Sequence, residues 1–231
     1  MPHPPPTSQS PSAVQRLRVT YGKGEAIRYV GHLDLVRTWE RALRRAGVPL
    51  AYSQGFNPQA RVQFASALPV GASGEQELFD ALMVEPVAPD AFLAAVRPQL
   101  PAGLILVRAR EVPLKGRSLQ ALLRASRWQV DLEADATGAD IDARIERLQA
   151  AARVPASRQR KGREITYDLR PLILDLTREP SPREGWLRLN MTLRSEPSAT
   201  GRPDAVLSAL GLDQLNARLT RLECLLDRES P

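Results

Sequence analysis

From His32 to Ala46 the apolar residues Leu35, Trp39, Ala42, Leu43 and Ala46 recur at the spacing of one helix face, and Gly47 and Pro49 then stop the pattern. A helix with a single apolar stripe must be covered, and the flanking sequence supplies strands to cover it. Leu17 to Tyr21 alternates apolar and polar residues and closes at Gly22-Lys23-Gly24. Arg61 to Leu68 and Glu77 to Val84 read as two further strands, Pro89 to Gln99 as a second helix, and Leu104 to Val107 as a last strand. The order is strand, helix, strand, strand, helix, strand, the ferredoxin-like arrangement.

The same order begins again after Lys115. Trp128 to Glu133 reads as a strand, Ile141, Ile145 and Leu148 mark a helix, and Ile165 to Leu176 is extended. Leu187, Leu189, Met191 and Leu193 alternate with polar residues, a short helix follows around Val206 to Leu210, and Leu219 to Leu226 is the final strand. The fold class expected is α+β, with two tandem ferredoxin-like (βαββαβ) domains whose antiparallel sheets carry their helices on one face. Residues 1–15, rich in Pro and Ser, are expected to be a disordered tail. Residues 16–115 form the first domain, 116–127 a linker and 128–231 the second domain.

Composition narrows the chemistry. Cys224 is the single cysteine and His3 and His32 the only histidines, so cysteine-ligated clusters and multi-histidine metal sites are excluded. No metal site or cofactor of this chain's own is expected. No apolar run approaches the roughly 20 residues that span a bilayer, and Met1 to Pro11 lacks the pattern of a secretory signal, so a cytoplasmic protein without a membrane partner is expected. The net charge is +6, and 29 of the 32 basic residues are Arg, the side chain that grips phosphate bidentately. A polyanionic partner follows, although a GC-rich genome would also raise the Arg count.

Three places concentrate the candidate residues. On the first helix Arg37, Arg41 and Arg44 lie on one stripe, with Arg45 beside it. Such a stripe either lines a phosphate backbone or is a solvated face. In Ser53-Gln54-Gly55-Phe56-Asn57-Pro58, Gly55 and Asn57 tolerate a left-handed backbone and Pro58 stiffens the turn. Phe56 on that turn near Arg61 suits stacking on a base, or else folds back over the sheet. Arg158, Arg160, Lys161 and Arg163 surround Gly162 in a basic hairpin or loop. His32 stands at a helix start, where it serves as a general acid or base, or simply packs there beside a capping Asp34. Cys224 is expected to be a buried structural thiol.

The runs Arg28-Tyr29-Val30-Gly31-His32-Leu33-Asp34-Leu35, Glu40 to Ala46, Ala51 to Pro58, Phe64-Ala65-Ser66-Ala67-Leu68-Pro69-Val70-Gly71 with Glu77, and Asp168-Leu169-Arg170-Pro171 resemble the radical-SAM-associated, or radical-SAM-linked, bacterial family of unknown function. The resemblance implies work alongside a radical-SAM protein of the cobalamin-binding type, encoded nearby or fused, often in a setting of RNA metabolism. Where that family has Pro before the loop's closing Arg, this chain has Ala60. The expected function is therefore a non-catalytic accessory domain that presents RNA to such an enzyme. Its expected ligand-binding residues are Arg28, Tyr29, His32, Arg41, Arg44, Arg45, Ser53, Phe56, Asn57 and Arg61, with Lys161 and Arg163 assisting. The alternatives are a metal-independent endoribonuclease using His32 and a module that only binds protein.

Overall fold

The computed structural model describes residues 12–133, 140–160 and 162–227. The first half runs β1 (Gln15–Lys23), α1 (His32–Arg45), β2 (Val62–Phe64), β3 (Ala72–Met83), α2 (Pro89–Val96) and β4 (Leu104–Val112). The second runs α3 (Leu119–Leu122), β5 (Leu123–Glu133), α4 (Ile141–Ala150), β6 (Pro155–Arg160), β7 (Arg163–Asp168), β8 (Ile173–Glu179), β9 (Trp186–Glu196), β10 (Ala199–Thr200), α5 (Pro203–Ala209) and β11 (Ala217–Leu226). The fold is α+β.

Nine of the strands form one mixed sheet, ordered β10-β9-β5-β11-β3-β1-β4, with β2 added to β3 and β8 to β9; β6 and β7 make a separate hairpin. Two separate antiparallel sheets were expected, and the difference lies at β3. This strand is 12 residues long and offers one edge to two partners. Val62–Phe64 pairs with its Phe79–Ala81 end, while β11 runs parallel to its start, with Leu219 opposite Ala72 and Arg221 opposite Gly74. Pairing there satisfies backbone groups that an open edge would leave exposed.

The segment 116–127, expected as a linker, is structural. Ser118 caps α3 by accepting a hydrogen bond from the Ala121 N–H, and Leu119, Leu122 and Leu123 are buried. Leu119 and Leu123 form a small core on the seam with Ala65, Leu78 and Cys224. Burial of these Leu side chains, each worth about 1.5–3 kcal/mol, favours an ordered segment where a linker was expected. At the other end the Val14 N–H donates to the Met83 carbonyl at 2.8 Å and β1 starts at Gln15, so the expected tail does not reach residue 15. Its residues 1–11 lie outside the described ones.

One core packs α1 and α2 on the first half of the sheet, through Leu17, Val19, Tyr21, Leu35, Trp39, Leu43, Phe79 and Phe92. A second packs α4 and α5 on the other half, through Val130, Leu132, Ile141, Ile145, Leu189 and Val206. The alternation in Leu17 to Tyr21 predicts a solvated polar face, yet all of β1 is buried. Arg16 and Arg18 both bond the wholly buried Asp80 across β3, and Arg16 also donates to the Arg117 carbonyl at 3.1 Å. Charge pairing thus lets a polar face be covered. Among the described residues no helix is long and apolar enough to cross a membrane.

Candidate functional site

The expected residues fall into three groups. Around the start of α1, Lys23 is buried and its ammonium donates to the carbonyls of Arg28 at 2.7 Å and Val30 at 2.9 Å, which pins the turn leading into the helix. Burial lowers the Lys23 pKa, with Glu77 opposing that shift. Arg28 pairs with Glu25 and lies over the Tyr29 ring, 4.8 Å from its centroid, while Tyr29 itself is exposed. His32 meets the Phe64 ring edge-on at 5.5 Å. Asp34 does not cap the helix: Gly31 is the N-cap, and Asp34 pairs with Arg37 at 3.4 Å.

Burial holds the His32 pKa below 6.5, the positive charge of Arg221 adds to this, and Glu77 opposes it. The folded state therefore favours neutral His32. Its contribution to stability is complete above the ordinary pKa and is lost as the pH falls from there through the folded value. An NMR titration of the imidazole should give a midpoint below 6.5, and a midpoint at or above that value would remove Arg221 and burial as its controlling surroundings.

Arg41 and Arg44 stand exposed on α1, with Arg41 no closer than 3.4 Å to the Thr38 hydroxyl. Arg45 is committed elsewhere, since it donates to the Gln99 carbonyl at 2.7 Å and ties α1 to the end of the second helical segment. The Ser53 loop is closed at its base. The Ser53 hydroxyl accepts from the Gln59 N–H at 2.9 Å, the Ser53 N–H donates to the Gln59 carbonyl at 2.9 Å, and Tyr52 bridges Ala60. Gly55 has φ 125°, as expected of a glycine turn. Phe56 does not fold back over the sheet: it is 112% exposed. Asn57 beside it and Arg61 at the stem are exposed as well. Ser53 is thus a closure of the loop, and Phe56 its presented group.

The basic segment forms the β6–β7 hairpin, with Arg160 opposite Arg163 and Arg163 exposed. Lys161 lies outside the described residues. Arg158 lies over the Tyr167 ring, 5.4 Å from its centroid.

Sequence reading missed a further site at the seam of the two halves. Arg221 of β11 is 3% exposed and Glu77 of β3 is 2% exposed. The guanidinium is bidentate to Glu77, with Nε to Oε1 at 2.7 Å and Nη2 to Oε2, while Nη1 donates to the Ser66 hydroxyl at 2.8 Å. Its carbon sits 5.4 Å from the centre of the Trp128 ring. Gly74 leaves the room this requires, because a Cβ there would fall 2.6 Å from Glu77 Oε1. In front of this pair opens a groove of about 270 Å³, lined from the first half by Ser66, Ala67, Leu68 and Pro69 and from the second by Ser126, Trp128, Ser195 and the 200–203 turn. With Arg221, five separated segments build it. The signal in the sequence was the Ser66 to Pro69 run, but its partners lie more than 50 residues away.

The fold and these surfaces define an α+β protein with one large mixed sheet, a presented aromatic loop and a seam groove. The chain belongs to a family described as an uncharacterized protein conserved in bacteria (DUF2344), whose model matches residues 16–203. No curated relative matches it. Among solved structures, a chain in the crystal structure of a Cbf5–Nop10–Gar1 complex is similar with a TM-score of 0.46 at 12% identity. The match covers 91% of this chain and 48% of that one, so this chain spans about half the length of the one it matches.

Proposed function

We propose that this chain is a non-catalytic accessory module that binds RNA and works beside a radical-SAM enzyme of the cobalamin-binding type. The observation that carries the RNA part is Phe56, a ring wholly in solvent on a loop whose base is closed by Ser53. Such a ring contributes nothing to the core, and a closed loop holds it out at little entropic cost on binding, which is what a base-stacking platform requires. Arg61, Arg41 and Arg44 supply exposed cations for phosphate, and Arg163 extends the basic surface to the hairpin. The partner enzyme rests on the resemblance of the Arg28 to Leu35 and Ser53 to Pro58 runs. In this reading the cofactor chemistry belongs to the partner, the module holds none, and both work in the cytoplasm.

Each half also reads as a ferredoxin-like unit, in support of which the strand orders β4-β1-β3-β2 and β11-β5-β9-β8 are equivalent. Residues 16–115 and 116–231 would then be two such units joined edge to edge.

Titrating a fluorescent single-stranded RNA with the protein across a salt series tests the RNA reading. Phosphate contact predicts log affinity falling linearly with log salt, with a slope of about −0.7 for each phosphate neutralised on a single strand. A flat response, or no binding at low salt, would overturn it.

A further inference from the structure

We propose that the seam groove receives a single neutral, planar, N–H-bearing heterocycle the size of one nucleobase, which extends the RNA-binding reading and rests on it for the source of that base. Size sets the first limit. About 270 Å³ lies just below the roughly 300–1,000 Å³ of ordinary small-molecule sites, so one or two rings fit and a larger ligand does not.

Charge sets the second limit. The charged side chains of the lining are Arg221 and Arg202. Arg221 is matched by Glu77, and Arg202 at the rim pairs with Asp204 at 2.9 Å. An anion would therefore enter a site whose positive charges are already compensated, and lose its hydration without replacement. A neutral ligand loses far less.

Hydrogen bonding sets the third. Trp128 Nε1–H donates to the Ser126 hydroxyl at 2.8 Å, and the Ser126 and Ser195 hydroxyls are 2.8 Å apart. Ser195 also approaches the Leu193 carbonyl as a donor at 3.4 Å. Running the protons Trp128 to Ser126 to Ser195 to Leu193 uses every donor and leaves each serine oxygen one acceptor lone pair. Two adjacent acceptors whose residues are 1% and 8% exposed call for N–H groups. The edges of nucleobases carry them. Leu68, Pro69, Trp128 and Pro203 supply apolar surface for the ring faces.

Saturation-transfer NMR with adenosine, guanosine, cytidine and uridine at millimolar concentration tests this on the full chain. Two variants fill the groove from opposite walls at exposed positions, Ala67→Trp and Thr200→Phe, and a urea transition checks that each is folded. We expect transfer to at least one nucleoside in the parent and its loss in whichever variant folds. No transfer to any nucleoside, or transfer that survives a folded groove-filling variant, would overturn the proposal. RNA binding with no nucleoside binding sinks the groove and leaves the RNA reading standing. Nucleoside binding without salt-dependent RNA binding sinks the RNA reading and supports the groove as a site for free nucleosides.

Discussion

Arg221→Met is expected to destabilise the protein by about 3–5 kcal/mol in urea denaturation, because it leaves the Glu77 carboxylate buried without its cation. Both side chains are almost wholly buried, and the pair crosses from β11 to β3, the contact through which the two halves share one sheet. Truncation also releases the Ser66 hydroxyl and removes the group that lies over Trp128. The Glu77→Leu/Arg221→Met double variant should be more stable than either single variant, since well-packed apolar groups avoid the desolvation that the ion pair incurs. A loss below about 1 kcal/mol for Arg221→Met is the size typical of an exposed ion pair. It would show that the seam does not depend on this one.

Phe56→Ala should behave in the opposite way, with no change in the unfolding transition and a marked loss of RNA affinity. The ring touches solvent on all sides, so folding gains nothing from it. Base stacking on an aromatic is worth about 1–3 kcal/mol, which converts to a roughly 5- to 150-fold weaker complex. Fluorescence anisotropy with single-stranded RNA, alongside a thermal melt, reads both quantities. An unchanged affinity would remove the loop from the binding surface and favour a protein partner for it. Reversing Arg44 to Glu instead should reduce the salt slope, because it removes phosphate contact and leaves stacking intact.

Local pattern determined a large part of this protein. The stripe from Leu35 to Ala46 became α1 with Leu35, Trp39, Ala42 and Leu43 buried, and the alternation from Leu187 to Leu193 became a one-sided strand. Both are periodic over several turns or residues, and a period is a property of the chain alone. The turn at Gly55 was legible for a similar reason, since a left-handed backbone selects residue type locally. Whether Phe56 pointed outward was not legible, because that depends on whether the sheet surface beneath the loop was already filled.

Tertiary structure alone decided the rest. Arg41 and Arg45 look alike on one helix, but Arg45 donates to the Gln99 carbonyl while Arg41 comes no closer than 3.4 Å to the Thr38 hydroxyl. Arg16 and Arg18 are polar residues of an alternating strand, yet both bond the buried Asp80 of β3, and Arg16 also bonds the Arg117 carbonyl. The seam is the clearest case. Glu77 and Arg221 stand 144 residues apart, and each by itself resembles any polar position on an alternating strand. Their pairing requires β11 to run parallel to β3 with Arg221 opposite Gly74, and strand register between distant segments is set by how two whole cores dock. Sequence periodicity therefore specified the longer helices and strands of each half, while α3, the β6–β7 hairpin and the joint between the halves, with its buried ion pair and its groove, were set only by tertiary packing.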